Sequence, residues 1–131
     1  MPVKQLAHEK RHKKFLELQG YTVIRSRTVQ KWVNGHPVKG AKDFANVFDL
    51  IAFHPEKKAK AVQVTSGNDM QAAVARKKRE IMQVFPKGIF GVDMEIAFYY
   101  KVKARWKFLL FRYVKGIWVE ETTLFADISF K

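Results

Sequence analysis

Apolar residues recur at helical intervals in some segments of the chain and form short continuous runs, typical of strands, in others. Met70, Val74 and Ile81 recur at helical intervals, whereas residues 48–53 and 60–65 are short runs of mainly apolar residues. The predicted elements, in chain order, are a helix over 2–19, a strand over 21–27, a loop over 28–42, strands over 48–53 and 60–65, a helix from 70 to about 85, and two or three strands over 94–103, 106–114 and 117–121. This order predicts an α/β or α+β sheet with helices packed on it.

Glycine and small polar residues mark the boundaries of these elements. Gly20 follows the first helix and is typical of a C-cap, and the segment Ser66–Asp69 is typical of an N-cap before the second helix. A turn over 54–58 makes residues 48–65 a hairpin, and Lys115-Gly116 predicts a second turn. The length of 131 residues predicts a single domain over 1–131.

Composition narrows the function classes. Hydrophobic residues make up 47% of the 131 residues, which is enough for a core, and cysteine is absent. The lack of cysteine excludes disulfides, thiolate zinc sites and a cysteine nucleophile. We find no apolar run of the length of a signal peptide or a transmembrane helix, so we expect a cytoplasmic protein without a membrane partner.

The charge balance indicates a polyanionic partner. Lys and Arg number 25 against 12 Asp and Glu, which gives a net charge of +13. Nucleic acid is the first candidate and an anionic membrane surface the second, while a basic protein without such a partner is the remaining alternative.

The basic residues come from three segments that could converge into a track for phosphates, or could form ordinary solvated faces. They are Lys10, Arg11, Lys13, Lys14, Arg25, Arg27, Lys31, Lys39, Lys42 and the run Arg76–Arg79. Trp32 in the loop over 28–42 could stack on an unpaired base or hold the loop against the core.

Three polar residues stand at positions that suit a divalent ion. Asp49 opens one predicted strand and Gln63 lies within the next, so a hairpin would bring both within reach of one Mg²⁺ or Mn²⁺. Glu9 lies seven residues before Leu16 on the first helix, and it would point towards the sheet if Leu16 does. The alternative for Asp49 is that it merely caps a strand.

These residues, with the segments around them, resemble the PD-(D/E)XK nuclease superfamily, and most closely the archaeal-type Holliday-junction resolvases. Glu9 precedes Gly20-Tyr21 and the segment Val23-Ile-Arg-Ser26, as a helix glutamate does in those resolvases. Phe48-Asp49-Leu50 looks like the family's Val-Asp-Leu motif, and Gln63-Val64-Thr65 looks like its Glu-Val-Lys motif. The resemblance covers about residues 5–85, and the Gln-Val-Thr form is similar to that of uncharacterised phage and virus nuclease-like proteins.

The resemblance implies a restriction-endonuclease-like core with a central mixed sheet, and metal-dependent hydrolysis of DNA. Asp49, Gln63 and the carbonyl of Val64 would hold Mg²⁺ or Mn²⁺, and Glu9 would act through water or a second ion. Arg25 and Ser26 match positions beside the DNA backbone. A branched DNA substrate and a homodimer, formed through the C-terminal sheet or the second helix, are also implied.

Two departures from the family pattern open an alternative. Gln63 replaces a glutamate and Thr65 replaces the lysine, so no charge remains at position 65. In superfamily members without that lysine, one on the following helix can serve, and here Lys77 or Lys78 would take that role. Otherwise the chain would be a DNA-binding module that keeps the fold without cleavage.

The first helix also contains a His-Glu-x-x-His motif. His8 and His12 could bind zinc with Glu9 as general base, as in a metalloprotease, with a third ligand from His36, His54 or Glu17. The surrounding lysines and arginines argue against such a site. We expect instead that His8 and His12 are surface residues, and His12 could line a phosphate path.

The C-terminal strands combine basic and aromatic residues. Lys101, Lys103, Arg105 and Lys107 alternate with Tyr99, Tyr100 and Trp106. Such a mixture can bind single strands, but we expect the aromatic residues to be core or a dimer face instead.

Overall fold

The computed structural model describes residues 3–26 and 47–121. In these ranges the chain forms two helices and six strands, in the predicted order, with three strands after the second helix. They are α1 (Val3–Leu18), β1 (Thr22–Arg25), β2 (Leu50–Phe53), β3 (Ala59–Ser66), α2 (Met70–Val84), β4 (Val92–Val102), β5 (Arg105–Val114) and β6 (Ile117–Glu121).

The six strands form one mixed sheet in which their order in space equals their order in sequence. β3 and β4 are parallel, with α2 as the connection between them, and the other neighbouring pairs are antiparallel. A parallel pair needs such a crossover, whereas antiparallel pairs need only turns. The predicted hairpin over 48–65 is confirmed, since β2 and β3 pair antiparallel.

The two helices cover opposite faces of the sheet. Phe15 and Leu16 of α1 pack with Val62 and Val64 of β3 in one buried cluster. The α2 residues Ala73, Val74 and Ile81 pack with Ala61 in a second cluster. Because side chains alternate along a strand, the even-numbered residues of β3 face α1 and the odd-numbered ones face α2. Among the described residues, no helix combines the length and the apolar character needed to cross a bilayer.

The helix ends match the predicted caps. Gly20 adopts a left-handed φ of 95°, and Tyr21 N–H donates to the Leu16 carbonyl at 3.1 Å, which closes α1 with a Schellman turn. Asp69 caps α2, because its carboxylate accepts from Ala72 N–H at 3.1 Å.

Helix α1 runs in the direction opposite to β3. His8 near its start contacts Trp106 at the beginning of β5, with ring centroids 4.4 Å apart. Tyr21 just after its end lies 5.0 Å from the ring of His54 and 5.3 Å from the amine of Lys60, at the start of β3. The first half of α1 therefore lies beside the carboxyl end of β3.

Candidate functional site

The predicted site residues come together where β1 ends, β2 begins and β3 ends, which we call the site edge. Ser26 N–H donates to the Asp49 carbonyl at 2.9 Å, and Asp49 N–H donates to the Val62 carbonyl at 2.9 Å. These bonds tie the end of β1 and the start of β2 to β3. The position of Asp49 beside β3 is thus set by backbone hydrogen bonds on both sides.

Asp49 directs its carboxylate at the β3 backbone. Its Oδ2 accepts a hydrogen bond from Val64 N–H at 2.8 Å, so the carboxylate extends the ladder of the β2–β3 hairpin. Asp49 therefore does cap a strand, as the alternative interpretation proposed. This cap does not exclude a second task, because a carboxylate offers about four lone-pair sites. The contact also brings the charge beside the Gln63–Val64 peptide.

Glu9 points towards the sheet, as predicted from its spacing to Leu16. Its exposure is 1%, and its Oε1 lies 3.3 Å from Nη2 of Arg25 at the end of β1. Arg25 precedes Ser26, whose N–H binds Asp49. Glu9 is therefore linked to the site edge through an ion pair, and the guanidinium of Arg25 turns towards Glu9.

Gln63 carries the feature that most needs an explanation. The residue is 6% exposed, and within the described part of the chain no hydrogen-bond partner meets its buried side-chain Oε1. Leaving a buried acceptor unsatisfied costs about 1–3 kcal/mol. A buried oxygen left without a partner at this cost in stability is suited to accept a ligand that the described residues do not supply.

Thr65 and Lys77 lie on the same side of the sheet as Gln63. Thr65 is buried two residues further along β3. Lys77 falls between Val74 and Ile81 on the buried stripe of α2, with its side chain 22% exposed and its Nζ 3.4 Å from Glu80 Oε2. A lysine from α2 therefore stands on the face where the family's strand lysine is missing.

Lys78 points elsewhere. Its Nζ lies 5.2 Å from the ring centroid of Phe111 on β5, and Phe111 is separated from Gln63 by β4. Of the two lysines that the sequence offered, the geometry favours Lys77.

The site edge gathers its groups from both faces of the sheet. Glu9 approaches with α1, while Gln63 belongs to the α2 face. Within residues 3–26 and 47–121, no three His, Cys, Asp or Glu side chains are placed to hold a metal ion together. A divalent ion here would depend on Asp49, the Gln63 amide oxygen and a backbone carbonyl, all of which are oxygen ligands of the kind Mg²⁺ accepts.

The predicted basic residues do not share one surface. Lys10 and Lys14 are exposed on the outer side of α1, where Lys13 also pairs with Glu17 at 2.8 Å. Arg76 and Arg79 are exposed on α2, across the sheet. Ser26 is buried, and its N–H is the group that reaches the site edge. The loop candidates lie outside the described residues: Arg27, Lys31, Trp32, Lys39 and Lys42.

The expectation of surface histidines on α1 is wrong. His8 is 1% and His12 0% exposed, so neither can line a phosphate path. His12 Nδ1 lies 3.1 Å from the Tyr99 hydroxyl, and the His8 ring stacks on Tyr99 with centroids 5.0 Å apart. Burial, with a smaller effect from Lys60, lowers the pKa of His12 from 6.5 to about 3, so it is neutral at physiological pH. The signal was present in the stripe 8, 12, 15 and 16, which repeats at helical spacing.

The geometry does not favour the zinc site either. His8 Nδ1 meets Nη1 of Arg11 at 2.9 Å, which brings a cation rather than a third ligand. Of the proposed third ligands, His54 lies near Tyr21 beyond the far end of α1, Glu17 pairs with Lys13 on the outer side, and His36 is outside the described residues.

A charged network near the amino ends of β3 and β4, away from the site edge, was not predicted. Glu95 of β4 is fully buried between Lys60 at 3.1 Å and Arg112 at 2.9 Å, and Arg112 also meets Glu121 at 2.8 Å. Burial alone would lower the pKa of Arg112, but the charges of Glu95 and Glu121 outweigh it and raise that pKa. A single glutamate inside the apolar pattern of β4 was the signal for this network.

Comparison with known proteins adds no relative: no family model, curated protein or solved structure matches the chain. The mixed sheet flanked by two helices is therefore established by the structure itself. The likeness to PD-(D/E)XK nucleases remains a prediction from the residues and the order of elements.

Proposed function

We propose that this chain is a metal-dependent DNA endonuclease, selective for branched DNA like the Holliday-junction resolvases it resembles. One observation carries the proposal. The buried Oε1 of Gln63, without a hydrogen-bond partner in the described ranges, belongs to the residue beside Val64, whose N–H binds the Asp49 carboxylate at 2.8 Å. A buried acceptor beside a fixed carboxylate is an arrangement that suits a divalent cation.

In this proposal each residue has a distinct role. Asp49, Gln63 and the Val64 carbonyl would hold Mg²⁺ or Mn²⁺, and the ion would lower the pKa of bound water and offset charge on a phosphodiester. Glu9, oriented by Arg25, would act through water or a second ion. Lys77 supplies positive charge from the α2 face.

The second candidate is a DNA-binding module that has lost cleavage. It is favoured by Thr65, which is buried and uncharged where the family has lysine. It is also favoured by the contact of Lys77 with Glu80, since that amine already has a local partner. Such a protein would bind DNA equally in the presence and absence of metal.

A cleavage assay separates the two candidates. Labelled four-way junction, splayed arm, plain duplex and single strand are incubated with Mg²⁺, Mn²⁺ or EDTA. Asp49→Asn is the key variant, because an asparagine oxygen can still accept from Val64 N–H while the charge is lost. Lys77→Gln tests the α2 lysine, and Lys87→Gln, an exposed lysine beyond α2, is the control for loss of charge.

The proposal expects paired cuts in the junction that disappear with EDTA and with Asp49→Asn. Paired cuts also require a homodimer, which sedimentation velocity would detect. Cutting of every substrate would keep the nuclease and remove the selectivity for junctions. No cutting, together with DNA binding that Asp49→Asn leaves intact, would overturn the nuclease in favour of the binding module.

A further inference from the structure

An open cavity of about 420 Å³ lies where β3 passes into α2. Its lining residues share a position under the β3–α2 turn and on the neighbouring strands: Gly67, Asn68, Met70, Phe98, Tyr100 and Leu109. The floor is therefore aromatic and aliphatic, and the turn supplies a polar side. This volume falls within the range of pockets that hold small organic groups.

The strand register places this cavity next to the candidate site. Phe98 pairs with Thr65 of β3, two residues after Gln63. Phe98 also belongs to the cluster on the α2 face, so its ring lies on the side of the sheet where Gln63 and Lys77 are found. A group seated in the cavity would thus sit beside the site edge.

The rim of the cavity carries positive charge. Tyr100 pairs with Lys107 across the β4–β5 hairpin, and the next two positions on the α2 face are Val102 and its partner Arg105. Lys107 and Arg105 are therefore the basic residues on the face of the cavity, whereas Lys101 lies over Trp106 on the α1 face. An apolar cavity beside this rim favours a ligand that joins a flat apolar group to anionic groups.

We propose that this cavity binds an unpaired nucleobase, stacked against Tyr100, while the phosphates of the same strand lie along Lys107 and Arg105. Stacking on aromatic side chains with cations beside the backbone is how single strands are held without a sequence preference. The inference rests on the proposed function for the choice of a polynucleotide. It also deepens it, because the preferred DNA would then have an unpaired nucleotide next to the bond that is cut.

The test measures binding in EDTA, so that it does not depend on cleavage. Fluorescence anisotropy compares a labelled oligothymidylate, an abasic strand of the same length and a plain duplex. The abasic strand keeps every phosphate and lacks the bases. Wild-type protein is expected to bind oligothymidylate about 10-fold more tightly than the abasic strand, the size of one stacking contact. Oligouridylate is the arm that distinguishes RNA from DNA as the source of the base.

Two pairs of variants locate the effect. Tyr100→Leu should remove the difference between oligothymidylate and the abasic strand, whereas Tyr100→Phe, which keeps the ring, should preserve it. Lys107→Gln should weaken binding of both strands and lower the salt slope by about 0.7, the loss of one phosphate contact. Lys115→Gln removes the same charge from the exposed β5–β6 turn, at the other end of β5, and should leave binding unchanged. Circular dichroism confirms that each variant folds.

The proposal is overturned if wild-type protein binds oligothymidylate and the abasic strand with equal affinity, or binds neither. It is also overturned if Tyr100→Leu loses the same affinity for both strands. Failure of the endonuclease proposal looks different. In that case no DNA is cut, yet the preference for strands with bases, and its dependence on Tyr100, remain.

Discussion

Gln63→Glu is the substitution that tests the candidate metal site most directly. It replaces the side-chain amide by a carboxylate. The side chain is 6% exposed, and its Oε1 has no hydrogen-bond partner within the described ranges. The substitution also restores the residue that the resembled family has at this position. If a divalent ion binds here, the new carboxylate gains a cation. If none binds, the same carboxylate is a buried charge at the position next to Val64, whose N–H binds the Asp49 carboxylate.

The expected magnitude follows from burial. A carboxyl group at this depth, beside a second carboxylate, has its pKa raised by about 2–3 units, and each unit is worth about 1.4 kcal/mol. At about pH 8 in EDTA the variant should therefore unfold with about 3 kcal/mol less free energy than wild type. The sign follows because the folded state holds a proton that the unfolded state releases, so stability falls as pH rises above the usual carboxyl pKa.

Mg²⁺ should reverse this loss. At a concentration about 100 times the dissociation constant, a ligand that binds only the folded state adds about 2.7 kcal/mol. The assay is urea unfolding of wild type, Gln63→Glu and the isosteric Gln63→Met, each with Mg²⁺ and with EDTA. Gln63→Met removes the unsatisfied oxygen, so it should be at least as stable as wild type in EDTA and should gain nothing from Mg²⁺. The reasoning is refuted if Mg²⁺ stabilises Gln63→Glu no more than Gln63→Met.

Three further outcomes are expected. The pKa of His12 is about 3 in the folded protein and 6.5 when unfolded, so protonation favours the unfolded state below about pH 6.5. The free energy of unfolding should then fall by about 1.4 kcal/mol per pH unit, and His12→Phe should flatten this slope in urea unfolding between about pH 7 and 5. Ala104→Gly should raise the melting temperature, because Ala104 holds a left-handed φ of 66° in the β4–β5 turn, which costs about 1 kcal/mol without glycine. Lys60→Met should lower the free energy of unfolding by about 2 kcal/mol, since it takes one of two cationic partners that the described residues give to buried Glu95. Lys115→Met at an exposed turn should change it little.

The fold was accessible from sequence because local signals agreed with one another. The helical spacing of Met70, Val74 and Ile81, the cap at Asp69 and the turn at Gly116 all fall where the structure has them. Boundaries moved by one or two residues, as with β2, which begins at Leu50 rather than at Phe48. The antiparallel pairing of β2 with β3 followed from the short turn predicted between them.

The candidate site was accessible only in part. The orientation of Glu9 followed from its spacing to Leu16, but its partner Arg25 did not, because ion pairs between distant segments depend on tertiary packing. The burial of His8 and His12 was missed because charged neighbours outweighed a helical stripe that in fact continues from Phe15. The many charged residues of such a helix indicate that its outer face is solvated, but they do not show which residues lie on its buried face.

Asp49 shows how a structural task and a chemical one can belong to the same side chain. An asparagine could accept from Val64 N–H as well as aspartate does, so strand capping alone does not require the negative charge. That charge is held in place by the hydrogen bond, next to Gln63 and its buried oxygen. A backbone N–H that orients a carboxylate is the kind of support that metal ligands receive from their surroundings. The capping bond is therefore an argument for the candidate site, because it fixes the one full charge on which a divalent ion there would depend.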